Sequence, residues 1–342
     1  MATTNLDSAD LKAIPAGGWI REDLMNKIWD ISNVPLPLTQ MIGSGSHDNS
    51  YSEWTTDELA APNLANKVVD GADQDTINNT KTGARLGNHS QISTKVVQVS
   101  SRADASDTVG TRALAYQVSQ RQKELRRDVE ANALSGHASV QDDGAAVAGQ
   151  SAGVPAFMAT NNNMGATGAV PGFQTGTKLI TAVTQGTKRA LTEKIVRDMV
   201  QAIYKKGGDP SVLMSAPEVI RGFSEYCFGT TAKIATLTSE TGQADAPATA
   251  KGAVNLFVTD FGTLALIPNR IMVDVAAGSA NALVLDPPTI ELSFLRGYQT
   301  EPLAKKGLSE VRMMSVDWMV KVLADDANGL IGDIDYALAV TP

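Results

Sequence analysis

The sequence predicts an α+β chain, and three stretches carry that expectation. "YQVSQRQKELRRDVEANALSG", Tyr116 to Gly136, has the spacing of a long helix with one thin apolar line. "TEKIVRDMVQAIYKKGG", "SVLMS" and "SAPEVIRGF" alternate helix, strand and helix from Thr192 to Phe223. The segment 281–342 reads as strands and turns, with the period of two clearest in "VRMMSVDWMVKVL".

In chain order, "IREDLMNKIWDIS" places Ile20, Leu24, Ile28 and Ile31 on one stripe, and Pro35 and Pro37 in "NVPLPL" stop that helix and begin an extended arm. "NSYSEWTTDEL" and "SQISTKVVQVSS" are strands by their Thr, Val, Ile, Tyr and Trp content, and they suit an antiparallel pair. Residues 60–89 join them without a sustained period, a connection so long for a compact domain that it is expected to be either functional or disordered. A ribbon of two strands with such a tip is marginal alone, so it is expected to lie on a neighbouring molecule.

The long helix is expected to start near Asp107 or Thr108, with Ser106 or Asp107 as N-cap, and to close at Ser135-Gly136. That is about 28 residues, or about 40 Å. Leu114, Val118, Leu125 and Val129 form its apolar line; Arg112, Arg121, Lys123, Glu124, Arg126, Arg127, Asp128 and Glu130 occupy the other faces. Residues 139–178, rich in Gly, Ala, Ser and Asn, read as surface loops with a strand at "VPAFMAT".

Next, Ile195, Val196, Met199, Val200 and Ile203 make a broad helical stripe ended by Gly207-Gly208. "SVLMS" is a short buried strand, and Ser215 with Glu218 fits a capping box for the helix of Val219, Ile220 and Phe223. With "VNLFVTD" and "TLALIPN" as strands, a compact α/β unit spans about 191–277. The C-terminal strands are expected to pack the apolar line of the long helix, closing one domain from both halves of the chain.

The 342 residues allow about two domains, and 43% hydrophobic content is enough to build cores. A formal net charge of -8 argues against wrapping nucleic acid on a basic face. Cys227 is the single cysteine, which excludes an internal disulfide and a Cys-x-x-Cys zinc site. No stretch has the length of a membrane span, and the first residues lack a signal peptide's pattern.

Catalytic chemistry is scarce. His47, His89 and His137 sit in Gly, Ser or Asn-rich surroundings, where solvated loops are expected, and none is spaced for a metal pair. "GQSAG" matches the nucleophile-elbow pattern at Ser151, but the flanks lack the strand and helix that a serine hydrolase needs. "GSGS", Gly43 to Ser46, lacks the Lys-Ser/Thr of a phosphate loop and reads as a hinge; "DGADQD", Asp70 to Asp75, lacks calcium-loop spacing. The Arg126-Arg127 pair is diluted by Glu124, Asp128 and Glu130. No catalytic, cofactor or metal site is expected.

The order of parts, together with "REDLMNKIWDIS", "MIGSG", "SEWTTDELAAP", "ARLGNHSQIS", "RQKELRRDVEANALSG", "DFGTLALIPNR" and "LDPPTIELSFLRGYQTEPLAKKG", resembles the major capsid proteins of tailed bacteriophages with the Hong Kong 97-type fold. The resemblance runs from about Arg21 to Ile334. It implies an N-terminal arm (1–45), an extended β-hairpin loop (46–105), a peripheral domain with its spine helix (106–189), an axial α/β domain (190–280) and a peripheral return (281–342). It also implies pentamers and hexamers forming an icosahedral shell around double-stranded DNA, which is contacted non-specifically, in a virion assembled in the host cytoplasm without a membrane. A portal and decoration proteins belong to that picture. The chain starts directly at the arm, so a separate scaffolding protein is expected. Trp29, Trp54, Arg85, Arg121, Arg126 and Arg127 are the expected inter-subunit contacts. The alternative readings are an encapsulin-like protein compartment and, from another class, a serine hydrolase using Ser151.

Overall fold

The computed structural model describes residues 35–57, 59, 61–71, 83–106, 113–229, 256–272, 275–305 and 307–341, with side chains in the helix ending at 229 described only to 226. The helix expected at 20–31, Trp29, most of "DGADQD" and the Cys227 side chain lie outside the described residues.

Pro37 does not prolong an extended arm. It opens a short helix, α1 (Pro37–Met41), because its fixed φ suits the first helical position. The Gly43–Ser46 segment is β1 and no hinge; it pairs in parallel with a C-terminal strand, Gly43 opposite Glu291 and Ser46 opposite Phe294.

β2 (Tyr51–Thr56) pairs antiparallel with β3 (Ala84–His89), Tyr51 opposite His89 and Thr56 opposite Ala84. The expected pairing of Tyr51–Thr56 with residues 91–100 is therefore wrong. "ARLGNH" looks polar in sequence, yet its last residues are buried, and Asn88 finds its partners in the protein interior. After Ser90 the chain enters β4 (Gln91–Ser100), followed by α2 (Ser101–Ala105).

α3 (Ala113–Leu134) is the long helix; residues 107–112, where its start is expected, are not described. Leu125, Val129, Ala133 and Leu134 are buried, and Leu114 and Val118 pack against the same core. Glu130 departs from expectation: it is fully buried rather than on a charged outer face.

"VPAF" is a one-turn helix, α4 (Val154–Phe157), not a strand, with Pro155 in its first turn. Residues 151–158 are all buried, so this part of the Gly/Ala-rich stretch is core rather than surface loop. Gly153 shows why small residues were needed: a Cβ there would stand 2.0 Å from the Ser135 carbonyl oxygen and 2.8 Å from that of Asn132, at the C-terminal end of α3. Three two-residue strands follow: β5 (Asn162–Asn163), β6 (Phe173–Gln174) and β7 (Leu179–Ile180).

α5 (Glu193–Lys205) is capped by Thr192, whose hydroxyl accepts the Ile195 amide at 3.1 Å. β8 (Val212–Ser215) leads into α6 (Pro217–Gly229). The expected capping box is absent: the Ser215 hydroxyl donates to the Asn281 carbonyl at 2.8 Å, and the Ala216 carbonyl receives the first helical amides. β9 (Leu256–Thr259), β10 (Gly262–Pro268), β11 (Ser279–Leu285), β12 (Ile290–Leu303), β13 (Ser309–Val322) and β14 (Gly329–Asp335) complete the chain.

Two sheets organise these strands. The first runs β1-β12-β13-β4, and the second β5-β14-β11-β8-β10-β9, so the second takes strands from both sides of residue 280. α3 lies on β4 and β13, as the apolar line predicts, and Lys95 of β4 reaches Asp128 of α3 at 2.7 Å.

The second sheet is covered on both faces. Leu213, Val284 and Ile331 pack with Val196, Val200, Ile203 and Phe223 of α5 and α6, while their chain neighbours Met214, Leu283 and Leu330 join the α3 core. Successive side chains on a strand point to opposite faces, so a strand buried on both must be continuously apolar. That is the pattern of residues 212–214 and 282–285.

Candidate assembly surfaces

The root of the β2–β3 hairpin is fixed by polar groups inside the protein. Asn88, with no exposed surface, donates from Nδ2 to the Val320 carbonyl at 2.8 Å and to Ser151 Oγ at 3.0 Å, and accepts the Ala152 amide at 3.1 Å. Ser151 Oγ also accepts the Val320 amide at 3.1 Å and donates to the Ala152 carbonyl. One strand of the hairpin, the α3–α4 connection and β13 are thus knotted together, which satisfies polar groups that would be costly to bury unpaired. Sequence reasoning missed Asn88, and a polar residue in a polar-looking segment gives no local sign of burial.

Trp54 anchors the same hairpin from the other side. Its Nε1 donates to the Val322 carbonyl at 2.9 Å, and its ring lies 6.0 Å from that of Phe157. Glu53 gathers Tyr51 Oη at 2.7 Å, Arg85 at 3.5 Å and Lys178 at 3.6 Å. The Tyr51 hydrogen bond holds the Glu53 carboxyl below its usual range; burial, the next largest influence, opposes it, and the nearby Lys178 and Arg85 charges add to the lowering. Tyr51 is correspondingly raised, by burial first and then by Glu53.

Beyond this root the chain has little cover. Leu59 is 95% exposed, Leu64 fully exposed, Val68 58% and Val69 78%. Covering a Val or Leu side chain stabilises by about 1.5–3 kcal/mol, so four such residues on one projecting segment form a surface with a strong tendency to be covered. A second apolar strip lies on the outer face of the edge strand β4, at Ile92 and Val96, and a third on the edge strand β9, at Leu256 and Val258.

Glu130 holds α1. Its Oε1 accepts the Leu38 amide at 2.8 Å and Asn269 Nδ2 at 3.0 Å; its Oε2 accepts the Thr39 amide at 2.8 Å and the Thr39 hydroxyl. The two amides belong to the first turn of α1, where helical donors have no partner within the helix. A carboxylate on α3 therefore caps α1 and ties both to the loop after β10.

Of the residues expected at contacts between subunits, Arg85 and Arg126 are exposed and Arg127 half-buried. The Arg126 guanidinium also lies 5.3 Å from the centre of the Tyr298 ring, and burial raises the Tyr298 hydroxyl to about 12 despite that charge. Arg121 pairs with Glu124 one turn on. Arg85 lies across the hairpin from Thr55, next to Trp54, whereas Arg121, Arg126 and Arg127 belong to α3, and Trp29 lies outside the described residues.

The hydrolase reading fails on geometry. Ser151 is 1% exposed, its hydroxyl is engaged with Asn88 and Val320, and none of its hydrogen-bond partners is a histidine. His47 and His89 are buried, not solvated: His47 Nδ1 lies 3.0 Å from Ser293 Oγ, and the His89 ring stacks 4.6 Å from Tyr51. Only His137 is exposed as expected. Among the described residues, no group of three His, Cys, Asp or Glu is arranged to hold a metal, and no helix is long and apolar enough to cross a membrane.

The family model described as SU10 major capsid protein matches residues 2–335. The chain belongs to that family. A curated relative of this SU10-family chain, the major capsid protein of Escherichia phage Phieco32, is 34% identical over 114 residues. That match covers 33% of the chain and 32% of the relative, so it spans about a third of that protein's length. Among solved structures, the capsid of an empty GTA particle superposes with a TM-score of 0.60 at 12% identity, over 96% of this chain and 99% of that one. The SrpI encapsulin of Synechococcus elongatus PCC 7942 gives 0.54 at 12% identity, over 93% and 94%. Likenesses at such identity speak for the fold, and they bear out the Hong Kong 97-type α+β architecture that the sequence resemblance implies.

Proposed function

We propose that this SU10-family chain is the repeating subunit of a phage capsid, assembling as pentamers and hexamers into an icosahedral shell that encloses double-stranded DNA. One observation carries the reading: two satisfied cores and a polar-knotted hairpin root are followed by a segment whose Leu59, Leu64, Val68 and Val69 stay largely exposed. A subunit that leaves such area unburied is completed by copies of itself. The role is structural rather than catalytic. The proposed division into arm (1–45), extended loop (46–105), peripheral parts (106–189 and 281–342) and axial domain (190–280) follows the same reading.

Trp29, Trp54, Arg85, Arg121, Arg126 and Arg127 remain the proposed contacts between subunits, with Trp54 and Arg121 also engaged inside the subunit. The net charge of -8 suits a container that meets packaged DNA without gripping it. A separate scaffolding protein, a portal and decoration proteins are the proposed partners, and the host cytoplasm the site of assembly. Electron microscopy of the purified protein, with and without its candidate scaffolding partner, tests the proposal: closed shells support it, and a monodisperse monomer at high concentration under both conditions refutes it.

An encapsulin-like compartment is the second reading, favoured by the SrpI likeness. The contents of particles isolated from cells discriminate: nucleic acid supports the capsid, and protein cargo without nucleic acid supports the compartment.

A further inference from the structure

The hairpin root encloses a cleft of about 230 Å³ that the capsid reading does not use. Its floor holds Ile92 and Asp317, directly opposite each other on β4 and β13. Ser50 and His89 line it from the hairpin, and Gln141 and Asp142 from the connection after α3. Among the described residues no lysine or arginine lines it.

Asp317 is the unusual member. Its side chain is only 5% exposed, and the cation that pairs with it among the described residues, Arg296, stands 3.9 Å from Oδ2 with most of its own side chain in solvent. Oδ1 is buried with no hydrogen-bond partner. A buried carboxylate oxygen without a donor is unfavourable, and a second carboxylate, Asp142, adds to the negative field of the same cleft. His89 does not offset it, because burial lowers its affinity for a proton.

We propose that this cleft receives a lysine or arginine side chain from a second copy of this chain, an inference that rests on the shell reading. The lining fits an organic cation on an apolar stem: carboxylates at the end, hydroxyl and amide groups around it, and Ile92 along the way. A metal ion fits poorly, since no metal-binding group of three His, Cys, Asp or Glu occurs among the described residues. A second copy is favoured because Ile92 belongs both to the cleft and to the apolar strip it forms with Val96, 53% and 55% exposed. A neighbour that covers this strip passes the mouth of the cleft. The chain also presents exposed cations on projecting parts, Lys67 on the extended loop and Lys305 beside the β12–β13 turn. One wall belongs to the hairpin, and the floor and the facing wall to the body, so a filled cleft fixes the angle between them.

The test is a side-chain-resolution structure of wild-type shells, together with assembly of Asp317→Asn and Asp142→Asn. The expected result is a neighbour's ammonium or guanidinium within about 4 Å of Asp317 or Asp142. Each variant should need roughly tenfold more protein to assemble, with a flatter dependence on salt. Asp142 is exposed, so its variant reports even where Asp317→Asn fails to fold. Shells whose clefts hold only solvent, a metal ion or another protein overturn the inference, as does wild-type assembly by Asp142→Asn and by any folded Asp317→Asn, while the capsid reading stands. A wild-type chain that forms no shell overturns the capsid reading and this inference with it.

Discussion

The Glu130 carboxylate receives both the backbone amide and the hydroxyl of Thr39, ninety-one positions earlier in the chain. α3 thus holds α1 through a buried carboxylate whose lone pairs are taken by amides, a hydroxyl and the Asn269 side chain. Glu130→Gln keeps the shape but turns an NH2 group toward donors. It should destabilise the folded subunit by about 2–4 kcal/mol, and Thr39→Ala by about 1 kcal/mol. Denaturant midpoints of the two variants against wild type check the order and the size.

Ser151 is a structural hydroxyl on this reading. Ser151→Ala leaves Asn88 Nδ2 one acceptor short and the Val320 amide without its serine partner, so a loss of about 1–2 kcal/mol is expected in thermal or chemical unfolding. Shell formation at moderate temperature should persist. Ester hydrolysis should be the same for both proteins, and a loss confined to the variant would return the hydrolase reading.

The projecting segment can be shortened only to a definite point. Joining Leu59 to Gly83 removes residues 60–82 and leaves β2, β3 and the Asn88 knot in place, so the subunit should melt close to wild type while closed shells are lost. Extending the deletion to residue 88 removes Asn88 and should cost the fold itself. Normal shells from the shorter deletion would show that the segment does not bridge subunits.

Gly153 packs against the carbonyl end of the spine. Gly153→Ala puts a methyl group where Ser135 and Asn132 oxygens already stand and should cost about 2–3 kcal/mol, visible as a lower unfolding midpoint.

Two buried imidazoles give the subunit a pH dependence. Burial, and for His47 also the Lys321 charge, lowers both His47 and His89 below the ordinary 6.5. Below that value the unfolded chain binds protons that the folded chain refuses, so their contribution is complete above about pH 6.5 and is lost as pH falls toward the folded values. Asp286 and Asp325, raised by burial, act in the opposite sense nearer their own range, favouring the fold as pH falls. Unfolding of wild type and of His47→Gln/His89→Gln from pH 7.5 to 5 separates the two: the double variant should lose less stability over this span.

Much of the framework was legible. The apolar stripe of α5, the thin line of α3, and the strands "SVLMS" and "ANALVL" follow from local periodicity and β-propensity, which the backbone obeys over a few residues. The misreadings share a cause. Residues 139–178 looked like surface because small and polar side chains prefer it, yet 151–158 are buried where the chain must pass close to the end of α3. Pairing β2 with residues 91–100 was locally as reasonable as pairing it with β3. What decided was the set of interior partners open to Asn88, all distant in sequence.

By itself the sequence determined the longer helices α3, α5 and α6, most strands and, through resemblance, the capsid fold. Only the tertiary structure decided which strands pair, that Glu130, Asn88, Ser151 and Asp317 lie inside, and which apolar side chains stay outside. Periodicity is a property of neighbouring residues, whereas the burial of a polar group depends on donors and acceptors dozens to hundreds of positions away.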